Sequence, residues 1–310
     1  MHHNLASLTT QVYQKALSKG AVIPIATQSF HLVQNSIQFL VRVLTEAQEK
    51  KKASNQVGNP FLPYDPNLYV VDLTETHVCL LNKFCVVPLH ILLVTKFFEP
   101  QNILTERDFE AASVVLSQWN GVCFYNSCKV AGASQQHKHL QFIPYIDMNS
   151  DPSIVVTDNV VPFDHLLGNC VDQKVDAFPF VHLVVSLQDL DWSNAEEDIH
   201  QKSKYLARTY YSLLNQLSSQ LEHFPDEYGT VGMPSKEERR RQESNPFPYN
   251  LIFTREWMYI VPRSLDEWQG IAVNALGMVG TLLVKNQESW SHLKSVGPLE
   301  LLKKVGFPRP

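Results

Sequence analysis

Three observations on the sequence imply an α+β fold with an antiparallel sheet flanked by helices. Strand-forming runs arrive in adjacent pairs with helical runs between the pairs, so neighbouring strands are expected to run in opposite directions. No Gly-x-Gly-x-x-Gly turn and no phosphate loop ending in Gly-Lys-Ser/Thr occurs, which removes the two commonest nucleotide signatures. With 310 residues, 44% hydrophobic and 18% charged, the chain has ample core for one large domain or two medium ones. The expected division is a region over 1–176 that carries the H-x-H-x-Q stretch and a region over 177–310 that completes the same sheet, or else one structural domain.

Taken in order, residues 4–18 carry Leu5, Leu8 and Val12 at helical spacing and predict an amphipathic helix. "GNPFLPYDPN" at 58–67 predicts a loop, because proline removes a donor and biases its predecessor away from helix. "HVCLLNKFCVVPLHILLVTK" at 77–96 predicts two or three short strands, broken near Asn82 and Pro88. "LTERDFEAASVVLSQW" follows as a helix with Thr105 as its cap, acids in the first turn, and Phe109, Ala112, Leu116 and Trp119 on one face. "VCFYN" and "KHLQFIPY" are the next strands, and 145–176 is a turn-rich excursion. "FPFVHLVVSL" is a further strand, and 194–222 is a long helix with Leu206, Tyr210, Leu213, Leu217 and Leu221 on its inner stripe. "MPSKEERRRQESNP" is a solvated charged loop, since acids interleave the cluster Arg239 to Arg241. "YNLIFTREWMYIVPRS" predicts a hairpin turning at Arg255 and Glu256, and "SLDEWQGIAVNALGMVGTLLV" at 264–284 a last long helix buried on most sides.

A net charge of -5 gives no sign of a nucleic-acid-binding surface, so an anionic ligand needs a local site. No run approaches the roughly 18–20 apolar residues of a membrane span, and "MHHNLASLTTQVYQK" lacks a signal-peptide core, so no membrane partner and a cytoplasmic location are expected. Five cysteines without C-x-x-C spacing are expected to be buried reduced thiols. The gap between Cys123 and Cys128 is a weak metal signal that no second pair answers.

The chemistry-bearing stretch is "GASQQHKHLQFIP" at 132–144. In a strand, His137, His139 and Gln141 would share one face, with Lys138, Leu140 and Phe142 on the other. Three uses are open: a polar face turned to water, which spacing alone favours; a zinc site, for which glutamine is a poor ligand; and a nucleophile. A neutral imidazole can attack phosphorus to give a phosphoramidate, provided its other nitrogen is oriented by a carbonyl or a partner histidine. The small residues Gly132, Ala133 and Ser134 would let backbone N–H groups and a hydroxyl approach phosphate oxygens.

This stretch resembles the active-site block of the diadenosine tetraphosphate phosphorylases (ATP adenylyltransferases), in the transferase branch of the histidine-triad superfamily. "LLNKFCVVPLHILLVTKFFEPQ" and "YNLIFTREWMYIVPRS" are similar to that family's other two blocks, and the likeness runs from about Asn59 to the carboxyl end in the same order. The resemblance implies a histidine-triad-like antiparallel sheet and phosphorolysis of diadenosine tetraphosphate to ATP and ADP through an adenylyl-histidine. His139 would be the nucleophile and His137 its support. Gln141 would stand for the third histidine of the hydrolase branch, an amide sufficing because the leaving polyphosphate is already a stable anion. Substrate contacts would come from Asn82, Lys83, Asn126, Gly132, Ala133, Ser134, Gln135, Thr254 and Arg263, with a further phosphate-binding lysine among Lys50, Lys51 and Lys52. No metal and no required cofactor are implied, Mg²⁺ serving at most as a polyphosphate counterion, and the partners would be the dinucleotide and inorganic phosphate. Monomer and dimer both stay open. So do two other readings, a sugar-1-phosphate nucleotidylyltransferase of the galactose-1-phosphate uridylyltransferase type, whose H-P-H-x-Q proline is Lys138 here, and a dinucleotide sensor without turnover.

Overall fold

The computed structural model describes residues 4–45, 58–145, 159–170, 172–192, 199–222 and 247–309. Its strands are β1 (Thr27–Gln34), β2 (Ile37–Leu44), β3 (Tyr69–Asp72), β4 (His77–Leu81), β5 (Ile91–Thr95), β6 (Gly121–Asn126), β7 (His139–Pro144), β8 (Leu183–Ser186), β9 (Tyr249–Phe253), β10 (Trp257–Pro262), β11 (Glu267–Trp268), β12 (Ile271–Ala272) and β13 (Thr281–Val284). The helices are α1 (Leu5–Ser18), α2 (Glu106–Gln118), α3 (Asp164–Gly168), α4 (Ile199–Leu221), α5 (Gln287–Val296) and α6 (Pro298–Val305). The expected α+β class holds, and capping chemistry places α2 where the sequence puts it. Asp108, at its third position, accepts from the Thr105 N–H at 2.6 Å.

Eight strands form one sheet in the order β3-β4-β5-β7-β6-β9-β10-β8, antiparallel at each pairing. The sheet contains a duplication. β5-α2-β6-β7 and β8-α4-β9-β10 are the same unit, side by side about the β6–β9 pairing. Registers fix the correspondence: Gln141 faces Leu92 and Phe124 in the first unit, and Tyr259 faces Val184 and Ile252 in the second. Counting along the strands from these pairs, Trp257 is the counterpart of His139, and His182 that of His90.

One face of the sheet packs on α1, α2 and α4 through Leu93, Leu140, Phe109, Leu206 and Ile260. The opposite face is treated differently in the two units. Over the second it is filled by Phe163, Phe178, Phe180 and residues of β2, β13, α5 and α6 packed on Trp257 and Tyr259. Over the first, the small sheet β1-β2-β13 stands off and leaves a cavity.

The helix expected over 264–284 is not formed. The segment is β11, β12, a 3-10 turn at Gly277–Val279 and β13, which adds parallel to β2. Gln269 and Gly270 take φ of +50° and +78° in the β11–β12 turn, a conformation no right-handed helix admits. Two regions without an expectation, 27–44 and 287–305, are also ordered. The first is a hairpin whose two-residue loop, Asn35–Ser36, has φ of +51° and +62°, as a turn with right-handed strand twist requires. Lys50, Lys51, Lys52 and the cluster Arg239 to Arg241 lie outside the described residues. Cys79, Cys85 and Cys123 are buried free thiols, whereas Cys128 and Cys170 are half-buried.

Candidate active site

The cavity over the first unit encloses about 740 Å³. His139, Gln141 and Phe124 form its floor, Asn82 and Lys83 reach it from the end of β4, and Arg42 and Leu283 face it from the small sheet.

His139 is 5% exposed and is held on three sides. Its N–H donates to Gln101 Oε1 at 2.9 Å, and Gln101 Nε2 donates back to Asn126 O at 2.8 Å and His139 O at 3.3 Å. Its ring Nδ1–H donates to the His137 carbonyl at 2.8 Å, which leaves Nε2 as the lone-pair nitrogen at the cavity. Burial drives its pKa down to about 4, so the ring is neutral at ordinary pH.

His137 lies beside His139 in sequence but does not line the cavity. It pairs with Pro100 two residues before β7 begins. Its Nε2–H donates to Thr95 O at 2.8 Å. Asn59, whose Oδ1 accepts from Phe61 N–H at 3.0 Å, turns its Nδ2 to His137 Nδ1 at 2.9 Å. His137 therefore holds the His139 ring through its main-chain oxygen, and its own ring is a brace between Thr95 and Asn59.

Gln141 lies on the cavity floor beside a residue absent from the expected set, His90. Asn82 Oδ1 accepts from Phe84 N–H at 3.3 Å, so Asn82 Nδ2 donates to His90 Nδ1 at 3.0 Å. His90 must then carry its proton on Nε2 and donate to Gln141 Oε1 at 3.1 Å. That leaves the Gln141 NH₂ to face the cavity as a donor. Burial holds His90 at about 4, so it stays neutral and keeps this polarity. In the sequence its only sign is a lone histidine inside an apolar run.

Gly132, Ser134 and Gln135 line the cavity as expected, and Ala133 does not. The N–H groups of Gly132 and Ala133 close the turn onto Lys129 O and Cys128 O at 2.8 and 3.0 Å, so they are not the phosphate donors expected of them. Gly132 serves instead to permit a close approach, since at φ +91° a Cβ there would lie 2.9 Å from both Asn274 Cα and Val273 O. The loop is pressed against a segment that contributes Asn274, Leu276 and Thr281 to the cavity, all missed because 264–284 read as helix.

Asn126 lines the cavity with its Oδ1 turned away, accepting from Asn250 Nδ2 at 2.8 Å and Ala275 N–H at 2.9 Å. Two expected contacts are corrected. The Thr254 hydroxyl accepts from Glu256 N–H at 3.0 Å inside the β9–β10 turn, away from the cavity. Arg263 is fully buried behind the cavity wall, where Asn250, Leu265 O and Val305 O hold its guanidinium. Lys138 faces the other side of the sheet, as alternation implies, with Nζ 2.7 Å from Glu99 and 3.4 Å from Asp108. Among the described residues, no three His, Cys, Asp or Glu side chains converge as a metal site requires.

Residues 1–162 match the family model of the Ap4A phosphorylase N-terminal domain, and residues 176–308 that of the ATP adenylyltransferase C-terminal domain. The chain belongs to the Ap4A phosphorylase family. Within that family it is 28% identical to Protein APA1 of Saccharomyces cerevisiae, over 98% of this chain and 95% of that protein. It is 29% identical to diadenosine 5',5'''-P1,P4-tetraphosphate phosphorylase 2 of the same yeast, over 88% of this chain and 83% of that protein. Two crystal structures of yeast Ap4A phosphorylase Apa2 share the fold at a TM-score of 0.74. One is in complex with AMP (26% identity) and the other with Ap4A (25% identity); each match covers 100% of this chain and 99% of that one. In this Ap4A phosphorylase family member, the two matched domains together supply the single large sheet, meeting at the β6–β9 pairing.

Proposed function

We propose that the chain phosphorolyses diadenosine tetraphosphate to ATP and ADP through an adenylyl-His139 intermediate. The observation that carries this reading is the imidazole of His139, neutral and fixed by its Nδ1–H on a carbonyl, with Nε2 at the cavity. His139 Nε2 forms a bond to the α-phosphorus as the bond from that phosphorus to the bridging oxygen breaks, and ATP departs with the electron pair. Inorganic phosphate then attacks the same phosphorus from the opposite side, releasing ADP and restoring the neutral ring. Neither leaving group needs a proton, so the Gln141 amide need only donate hydrogen bonds as negative charge builds on the phosphoryl oxygens. Because the P–N bond retains much of the anhydride's transfer potential, the reaction is reversible.

The yeast relatives named for this activity support the substrate, as does the Apa2 structure with Ap4A. Phosphate as acceptor, Mg²⁺ only as a polyphosphate counterion and a cytoplasmic location belong to the same reading. No helix among the described residues is long and apolar enough to cross a membrane.

The test is His139→Ala, for which the phosphate-dependent release of ATP and ADP, followed by chromatography, falls about 10³-fold or more. Adenylyl radiolabel trapped on the unaltered protein by rapid quench is acid-labile and base-stable, as a phosphoramidate is. Substantial turnover by the variant, or a base-labile adduct, would refute the mechanism.

A further inference from the structure

We propose that Arg263 and Asn250 are positioning residues that set the hydrogen-bond polarity of the phosphate site by acting through Asn126; this rests on the reading of the cavity as a phosphate-ester site. Arg263 is a cation placed where the fold gains little from one. It is 0% exposed, and its hydrogen bonds go to neutral acceptors: Asn250 Oδ1 at 2.6 Å, Leu265 O at 2.7 Å, Val305 O at 3.1 Å and Ala131 O at 3.5 Å. Among the described residues no carboxylate is in contact with it; burying a guanidinium in this way is costly, and an apolar side chain of similar volume would suit a core better. Burial accordingly lowers its pKa to about 9, with Asp266 opposing, so the group is still charged at neutral pH.

A guanidinium offers donors only. Asn250 must therefore turn its oxygen to Arg263, and its NH₂ then points the other way, to Asn126 Oδ1 at 2.8 Å and Ala131 O at 2.7 Å. Asn126 Oδ1, filled by Asn250 and by Ala275 N–H, is turned from the cavity, which leaves the Asn126 NH₂ to meet a ligand oxygen. The chain of amides thus carries one polarity from the core to the site, with the donor outward. Ala275 N–H and Ala131 O favour the same orientation; without Arg263 and the Asn250 donor the Asn126 amide keeps only the Ala275 N–H to hold its oxygen from the cavity, and the outward donor is less firmly set. The same bonds hold Ala131 O, at the start of the Gly132–Gln135 loop, so the positioning reaches both polar walls of the site.

The test compares AMP with adenosine, which lacks the phosphate, by calorimetry on the full chain. Asn250→Asp keeps the acceptor for Arg263, now as an ion pair, but removes the donor to Asn126. Because it also removes the donor to Ala131 O, it is expected to lower Tm, and the folded protein is expected to bind AMP about ten-fold or more weakly and adenosine as before. In an Asn126→Ala background, Asn250→Asp is expected to add no further loss for AMP. Arg263→Met is expected to lose AMP affinity selectively, and Arg263→Lys, which again offers only donors, to regain part of it. Unchanged AMP affinity in folded Asn250→Asp, equal weakening of AMP and adenosine, or full additivity with Asn126→Ala would each overturn the positioning role and leave the cavity assignment standing. Failure of the unaltered chain to bind AMP would overturn the cavity reading and the positioning role with it.

Discussion

Two separable features define the state of His139, burial that keeps it neutral and a carbonyl that fixes which nitrogen is free, and both are what the proposed nucleophile needs. The first gives a pH signature. A histidine near its ordinary pKa of about 6.5 would lose nucleophile progressively below pH 7. His139 and its neighbour His90 are both held at about 4, so on the proposed mechanism protonation removes the nucleophile only as the pH falls towards that value. The half-reaction to the adenylyl-enzyme, followed by single-turnover quench without phosphate, isolates this ionisation, because the bridged phosphates of the dinucleotide are fully ionised throughout. Its rate is expected to stay level from pH 8 to about 5.5; a fall centred near 6.5 would contradict the assigned environment. The sequence exposes His139 and Gln141 through their two-residue spacing, because alternation in a strand is a geometric necessity. It does not expose His90, since one histidine in an apolar run looks like any core residue. Arg263 misleads for the opposite reason: its charge is visible in the sequence and its complete burial is not.

The helices and strands with strong local signals, α1, α2, α4 and the β9–β10 hairpin, fall where periodicity and capping put them. The segment 264–284 does not, because its apolar residues fit a buried helix and a set of short buried strands equally well, and only tertiary pairing with β2 decides. The same segment supplies half of a contact that the cavity depends on. Gly132 packs on Asn274 and Val273 backbone at a distance that admits no side chain, and its φ of +91° is strained for any residue with a Cβ. Gly132→Ala is expected to destabilise the chain by about 1–2 kcal/mol from the backbone conformation alone. The clash with main-chain atoms also pushes Ser134, Gln135 and Asn274 apart across the cavity. A displacement of about 1 Å at a reacting site is worth up to about 10²-fold in rate, so kcat/KM for the dinucleotide should drop well beyond the change in folded fraction. Tm and steady-state kinetics on the same preparation check this, and unaltered kcat/KM would show that the contact is not needed for the site.

The duplication explains why one chain carries one site on a sheet built of two like units. At the positions of His139 and Gln141 the second unit has Trp257 and Tyr259, and α3 holds the indole through Asp164 Oδ1 at 2.8 Å. His182, the counterpart of His90, has both ring nitrogens tied to main chain, with Phe180 O at 2.8 Å and Val175 N–H at 2.9 Å, so it relays nothing. In sequence the repeat survives as little more than a shared histidine and a shared proline, Pro144 and Pro262, which is why it is legible only through strand register. A molecule joined in this way should not melt in halves. The β6–β9 pairing and the packing of α2 on α4 cross between the units, and Leu140 and Ile260 lie in one continuous core although they sit on β7 and β10. Leu140→Ala and Ile260→Ala should each remove about 2–5 kcal/mol and each lower the same single calorimetric transition, with calorimetric and van't Hoff enthalpies in agreement. Two resolved transitions, each shifted by only one of the substitutions, would mean that the regions 1–176 and 177–310 are separate folding units and that the shared sheet does not couple them.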